Sequence, residues 1–236
     1  MTLKNLLLLP IFSCVSHAAV IYSESFPNSS DPASNVHTTT VNWVSYLGST
    51  ATTTANAASS PRWGISGGAG PDQAIGYLFK DSTNIGVSYE GTAFSLLPAN
   101  ITSITYLAGN TSASHTTSFV VQQNGNWFVS TTSFNTVAQT LANYNSSTAS
   151  KAELKTLNFD ILSTSWNALT IDPDVELSVG AATALDSLAP ITRIGIYATG
   201  SGVTRIDDIT INGVPEPSAL LLSALVSLAL LRRRAR

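Results

Sequence analysis

Along most of this chain apolar and polar residues alternate with a period of two, and few stretches carry the 3.6-residue spacing of an amphipathic helix. The run Val20-Ile21-Tyr22-Ser23-Glu24-Ser25-Phe26 sets the pattern, rich in β-branched and aromatic residues. Similar runs predict strands at residues 41–47, 74–80, 101–107, 117–123, 126–132, 154–162, 166–171, 175–179, 191–198 and 203–211. Asn124-Gly125, between two such runs, predicts a two-residue hairpin, because a type I′ turn needs positive φ at both central positions. Residues 137–144 are the one weak helical candidate, and the small polar stretches 49–61 and 143–150 read as surface loops. Many short strands separated by regular turns predict an all-β fold, a sandwich or a barrel.

The two ends depart from this pattern. Lys4, the apolar run Leu6 to Phe12 and the small residues around Ser16-His17-Ala18 have the order of a secretory signal peptide, predicted over residues 1–19. The exported body then spans 20–213. At the other end Val214-Pro215-Glu216-Pro217 cannot continue a strand or helix interior. It leads into an almost unbroken apolar run, residues 218–231, and then Arg232, Arg233, Arg234 and Arg236. As a helix that run would be about 20 Å long, against the ~30 Å hydrocarbon core of a bilayer. A short transmembrane helix is still expected, since arginine stems snorkel and a bilayer thins locally. The basic end would stay on the cytoplasmic side.

Proline-glutamate-proline, apolar helix and basic end, in that order, make residues 214–236 resemble the PEP-CTERM sorting signal. The resemblance implies recognition by a membrane-embedded exosortase, after signal peptidase has acted at the other end. It also implies cleavage near Pro215, Glu216 and Pro217, and delivery to the cell surface or the extracellular matrix.

Composition narrows the body's chemistry. Charged residues are 11% of the chain, well below the roughly 25% of a typical soluble domain, so its surface is polar through hydroxyls and amides. The one cysteine, Cys14, falls inside the signal, which leaves the mature body without disulfide or thiol chemistry. Residues 20–214 hold 13 acids against six bases, a formal charge of −7. An acidic body of this kind excludes nucleic acid as a partner, since phosphate binding needs clustered lysines and arginines.

Three scattered segments, Glu24-Ser25-Phe26, Gln123-Asn124-Gly125-Asn126-Trp127 and Arg205-Ile206-Asp207-Asp208-Ile209-Thr210-Ile211, make the body resemble the concanavalin-like and carbohydrate-module jelly rolls. That resemblance implies a single antiparallel β-sandwich of the jelly-roll kind, with neighbouring first and last strands and a structural calcium between them. Simple alternation puts Glu24 with Tyr22 and Phe26, and Asp207 with Ile209 and Ile211, on otherwise apolar faces. A buried carboxylate must be paired, hydrogen-bonded or metal-bound. Glu24 and Asp207, with Asp208 as alternate, are therefore candidate Ca²⁺ ligands. Strand ends that emerge into water, or a pair between Arg205 and an aspartate, would serve as well.

Other candidates are weaker. Asp172-Pro173-Asp174-Val175-Glu176 spaces three carboxylates by two, but Pro173 breaks the strand that a glycosidase pair would need. Gly64-Ile65-Ser66-Gly67-Gly68 matches a nucleophile elbow as a string, yet Gly70 and Pro71 prevent the helix that must follow. Trp63, beside a glycine-rich stretch, and Trp127, beside the hairpin turn, are the tryptophans expected to be exposed for stacking on sugar rings. The expectation is a non-enzymatic exported protein that associates with exopolysaccharide. A carbohydrate-active hydrolase on the same sandwich and a self-associating envelope subunit are the alternatives.

Overall fold

The computed structural model describes residues 19–26, 36–48, 62–69, 75–81, 85–110, 115–135, 153–159, 166–172, 176–200 and 203–214. The signal segment up to residue 18 with Cys14, the Pro215–Pro217 motif, the apolar run 218–231 and Arg232–Arg234 lie outside these residues. So do the loops 49–61 and 143–150 and the weak helical candidate 137–144. Among the described residues no helix is long and apolar enough to cross a membrane.

Among the described residues thirteen strands form two sheets, and every described pairing within them is antiparallel. One sheet contains β1 (Ala19–Glu24), β3 (Arg62–Ala69), β4 (Ile75–Asp81), β6 (Ile101–Asn110), β9 (Glu153–Asn158) and β13 (Val203–Gly213). Its order is β3-β4-β13-β6-β9, and β1 pairs with the second half of β13 on the side where β4 pairs with the first half. The other sheet contains β2 (Trp43–Leu47), β5 (Gly86–Glu90), β7 (Thr116–Gln123), β8 (Asn126–Asn135), β10 (Trp166–Asp172), β11 (Glu176–Thr183) and β12 (Ile191–Thr199). Its order is β11-β10-β8-β7-β12-β5-β2. The predicted Asn124-Gly125 turn joins β7 to β8, with both residues at positive φ. Two short 3₁₀ turns, Thr38–Val41 and Pro98–Asn100, complete the described elements.

The sheets bury one core between them. Phe26, Trp43, Trp63, Ile65, Leu78, Ile104, Tyr106, Phe119, Trp166, Ile191, Ile196 and Ile211 all contribute to it. Burying each such side chain is worth roughly 1.5–3 kcal/mol, and the aromatic rings add edge-to-face contacts such as Tyr106 on Phe119 at 5.0 Å. Strands β3 and β5 lie outside the sequence-predicted set. Glycine-rich β3 has Ile65 as its one β-branched residue, too little to mark a strand, and it is held by pairing with β4 over Arg62–Ser66. Gly64 and Ser66 therefore lie in a strand, without the turn that an elbow requires.

A bulge in β13 reverses one sequence expectation. Register shifts between Asp207 and Thr210, where Asp208 sits at φ 52. Ile206, Ile209 and Ile211 all face the core as a result, and Asp207 lies with Arg205 on the opposite face of the sheet. Simple alternation puts Asp207 beside Ile209; the extra residue of the bulge shifts the phase.

Lys80 is paired with Thr204 and is fully buried at one end of the core, its Nζ donating to the carbonyl of Gly200 at 3.2 Å. Burial lowers its pKa from 10.5 to about 8, with Asp81 opposing. Between pH 8 and 10.5 the unfolded chain then binds more protons than the folded one, so stability rises with pH across that window. Lys80→Met should abolish this rise. Urea unfolding of both proteins at about pH 7, 8, 9 and 10 checks it, with the gap between them closing as the wild-type lysine deprotonates.

Candidate ligand-binding face

The seven-stranded sheet has a second apolar side, facing away from the core. Register places its residues in rows that cross the strands. One row runs Val44, Tyr89, Gly195, Val120, Val129; the next runs Arg193, Gln122, Trp127, Leu169, Val179. A third holds Tyr46, Val87 and Tyr197. Val87, Val120, Val129, Leu169 and Leu177 are buried, while Tyr46, Tyr89, Trp127 and Tyr197 lie half-buried around them.

The aromatic rings form a continuous platform. Tyr89 on β5 and Trp127 on β8 stand three strand intervals apart, about 14 Å at the usual spacing. Their ring centroids are nevertheless 4.2 Å apart. Both side chains must therefore lean toward each other along the sheet, and do not stand up from it. Gly195 between them makes this possible: a Cβ there would come within 2.4 Å of the Ser88 carbonyl and 2.6 Å of Tyr89 Cβ. Tyr46 extends the platform, stacked on Tyr89 at 6.1 Å with 29° between the planes.

Burial raises the pKa of the Tyr89 phenol, and its hydrogen bond with Tyr46 adds to that, against a smaller pull from Arg193. Burial raises Tyr197 as well. All this keeps the platform's two most shifted hydroxyls neutral, as donors and acceptors at any physiological pH. The polar members of the face are Arg193 and Gln122. Arg193 Nη1 donates to Gln122 Oε1 at 2.8 Å, and its Nε donates to the Gly91 carbonyl at 3.3 Å. Flat aromatic rings with polar groups at their border are what a sugar ring needs, with its C–H faces against the rings and its hydroxyls toward the amide and guanidinium.

Trp127 is half-buried, its ring packed on Tyr89 in the platform. Trp63 does the opposite. It is 0% exposed, lies in the central core, and donates from Nε1 to the Tyr46 carbonyl at 3.1 Å across the two sheets. The expectation of an exposed Trp63 is overturned, because its neighbouring glycines belong to a strand with no loop at that point. Tyr46, Tyr89, Tyr197, Arg193 and Gln122 are not singled out by the sequence. Their alternation within each strand is visible there, but which strands are neighbours is not.

The carboxylates expected to hold calcium are spread over two faces. β1 does pair with β13, with Glu24 opposite Ile209. Glu24 faces inward: its Oε1 accepts from the Phe26 amide at 2.7 Å, holding fully buried Phe26 at φ 48 with its ring edge-on to Trp43 at 4.9 Å. Burial raises the Glu24 pKa, opposed by that amide and reinforced by Glu90. Glu90 in turn accepts from Tyr22 Oη at 3.0 Å and from the Thr92 amide at 2.9 Å. Asp207, fully buried, lies on the other side of the sheet beside Arg205, its Oδ1 accepting from the Asp208 amide at 2.9 Å. Asp208 is exposed. Both Glu24 and Asp207 therefore bind the amide of a residue at positive φ. Among the described residues no three His, Cys, Asp or Glu side chains are grouped to hold a metal ion. Asp172 and Glu176, meanwhile, are backbone register partners where β10 pairs with β11.

No protein family matches the chain, and no curated protein resembles it in sequence. Among solved structures it is similar to the family 11 carbohydrate-binding module of the cellulosomal cellulase Lic26A-Cel5E of Clostridium thermocellum. That match has 13% identity and a TM-score of 0.42, over 85% of this chain and 99% of that one. It is also similar to TmCBM27, a carbohydrate-binding module described for specific mannan recognition, with 11% identity and a TM-score of 0.38 over 84% of this chain and 99% of that one. An exo-beta-agarase aligns at 13% identity and a TM-score of 0.41, over 65% of this chain and 22% of its own. At this distance the likeness extends to the all-β sandwich and no further.

Proposed function

We propose that this is a non-enzymatic, polysaccharide-binding protein of the cell surface or extracellular matrix, which holds its ligand on the outer face of the seven-stranded sheet. The aromatic platform carries this reading: Tyr46, Tyr89 and Trp127 join rings across four strand intervals on an otherwise apolar face. Rings already packed against one another lose little freedom when a sugar docks, so the site is pre-organised. A hydrolase would need two carboxyls about 5–5.5 Å or about 6.5–9.5 Å apart beside the sugar, and none of the described residues on this face is acidic. The signal segment and the PEP-CTERM-like tail, with Pro215, Glu216 and Pro217 before the apolar run, support export and exosortase sorting as its route.

The test is retention of the full chain on a panel of insoluble polysaccharides: cellulose, chitin, mannan and mixed-linkage β-glucan. Retention on at least one, competed by its soluble oligosaccharides, is expected. No retention on any of them, together with concentration-dependent self-association, would replace this reading with that of a structural envelope subunit. Repeating the assay in chelator tests the calcium expected at Glu24, Asp207 and Asp208. Unchanged retention and an unchanged unfolding midpoint would dismiss it.

A further inference from the structure

The charge on the platform singles out a class of polysaccharide. Among the described residues of the 20–214 body, one basic side chain stands on this face: Arg193, in the row that continues through Gln122 to Trp127. The remaining described residues of the face are aliphatic, aromatic, hydroxyl or amide side chains, so Arg193 is its sole charge among them. No carboxylate among the described residues pairs with it. Instead, neutral acceptors orient it, Gln122 Oε1 on Nη1 and the Gly91 carbonyl on Nε, while Nη2 makes no hydrogen bond among the described residues. Thr192 Oγ1 lies 3.2 Å from the same Gln122 Oε1 and fixes that amide in turn. The guanidinium is half-buried next to Tyr89, held in place by groups that do not neutralise it.

Resting on the reading of this face as a polysaccharide site, we propose that its ligand is an anionic polysaccharide, a polyuronate whose carboxylate is taken by Arg193 while the neighbouring sugar ring lies on Tyr89 and Trp127. A guanidinium whose orientation is already fixed pays little of the usual cost of ordering a long side chain, and its planar fork matches a carboxylate. The opposing influence is the acidic body, with its formal charge of −7. Repulsion between exposed charges is screened beyond roughly 8 Å at physiological salt, whereas a direct contact with Arg193 is not. The acidic body also makes the inference discriminating, because non-specific charge would push a polyanion away. Any preference for the acidic polymer must come from a local cation.

The experiment is affinity electrophoresis of the full chain in chelator-containing gels. The gels hold alginate, the same alginate with its carboxyl groups reduced to alcohols, or dextran sulfate. Wild type is expected to bind alginate about tenfold or more tightly than the reduced polymer, the size of one charge-assisted contact. Arg193→Gln should lower alginate binding by much more than it lowers binding of the reduced polymer, so that the preference between the two is lost. Arg193→Lys, which keeps the charge but loses the fork, should fall between them and guards against a merely misfolded glutamine variant. Equal binding of alginate and reduced alginate, both abolished by Trp127→Ala, would overturn the anionic ligand and leave the platform standing. Binding to neither form of alginate would overturn the polyuronate ligand, and retention on the neutral polysaccharide panel then decides separately whether the platform reading stands. A loss in Arg193→Gln seen on dextran sulfate but not on alginate would overturn the carboxylate in favour of a sulfate ester.

Discussion

Trp127→Ala is expected to reduce polysaccharide affinity by about 30-fold or more, the range of a central aromatic anchor removed from a binding surface, while the protein stays folded. The expectation follows from where the ring lies. Trp127 leans along the sheet to meet Tyr89 at 4.2 Å, so the two rings act as one surface and truncating either breaks it at the centre. Tyr89→Ala should then lose nearly as much, and the double variant little more than either single one. Residues that contribute one continuous contact are not additive. Tyr46, at 6.1 Å from Tyr89 and on the edge strand, should matter less. Trp127→Phe keeps a flat face and should retain most of the affinity. Isothermal titration with the oligosaccharide that competes best in the retention assay measures all of these. A Trp127→Ala protein that unfolds at the wild-type temperature and binds as tightly as wild type would refute the platform.

The two tryptophans that the sequence offers for sugar stacking mark what is legible there. Trp127 can be placed near the surface because Asn124-Gly125 fixes a hairpin end, and hairpin ends are local features. Trp63 cannot be placed this way, because Gly64, Gly67 and Gly68 have low strand propensity and only pairing with β4 reveals them as a strand. Tyr46 and Tyr89 show a different limit. Each lies at an outward position of a readable alternation, but their contact depends on β2 and β5 being neighbours, and strands 38 residues apart leave no local trace of that. Asp207 marks a third. A period of two gives the correct face until a bulge adds a residue, and Asp208 at φ 52 has no obvious signature in Arg205-Ile206-Asp207-Asp208-Ile209. Fold class is visible because it depends on the alternation itself, whereas the site depends on strand order and on Gly195 leaving space for Tyr89.

Trp63→Ala should cost far more stability than any truncation on the platform, about 3–5 kcal/mol, or a fall of roughly 10 °C in unfolding temperature for a chain of this size. Trp63 is fully buried and joins the two sheets at their edges, from β3 to the Tyr46 carbonyl on β2. Removing it empties the core there and leaves that carbonyl without its indole donor. Gly86 on β5 makes the prediction specific. A Cβ at that position would lie 2.5 Å from Trp63 Nε1 and 2.8 Å from Leu47 Cδ2, so Gly86→Ala alone should destabilise by overpacking. In the Trp63→Ala background the indole is gone, and the Leu47 methyl, at the end of a flexible side chain, can turn into the vacated space. There Gly86→Ala should be neutral or stabilising. Urea unfolding of the wild type, the two single variants and the double variant gives the coupling. A coupling near zero would mean that Trp63 does not rest on Gly86. A strongly favourable one fixes Trp63 as the bolt behind Tyr46, so that the ring the sequence offers for binding sugar instead holds up the strand on which the platform begins.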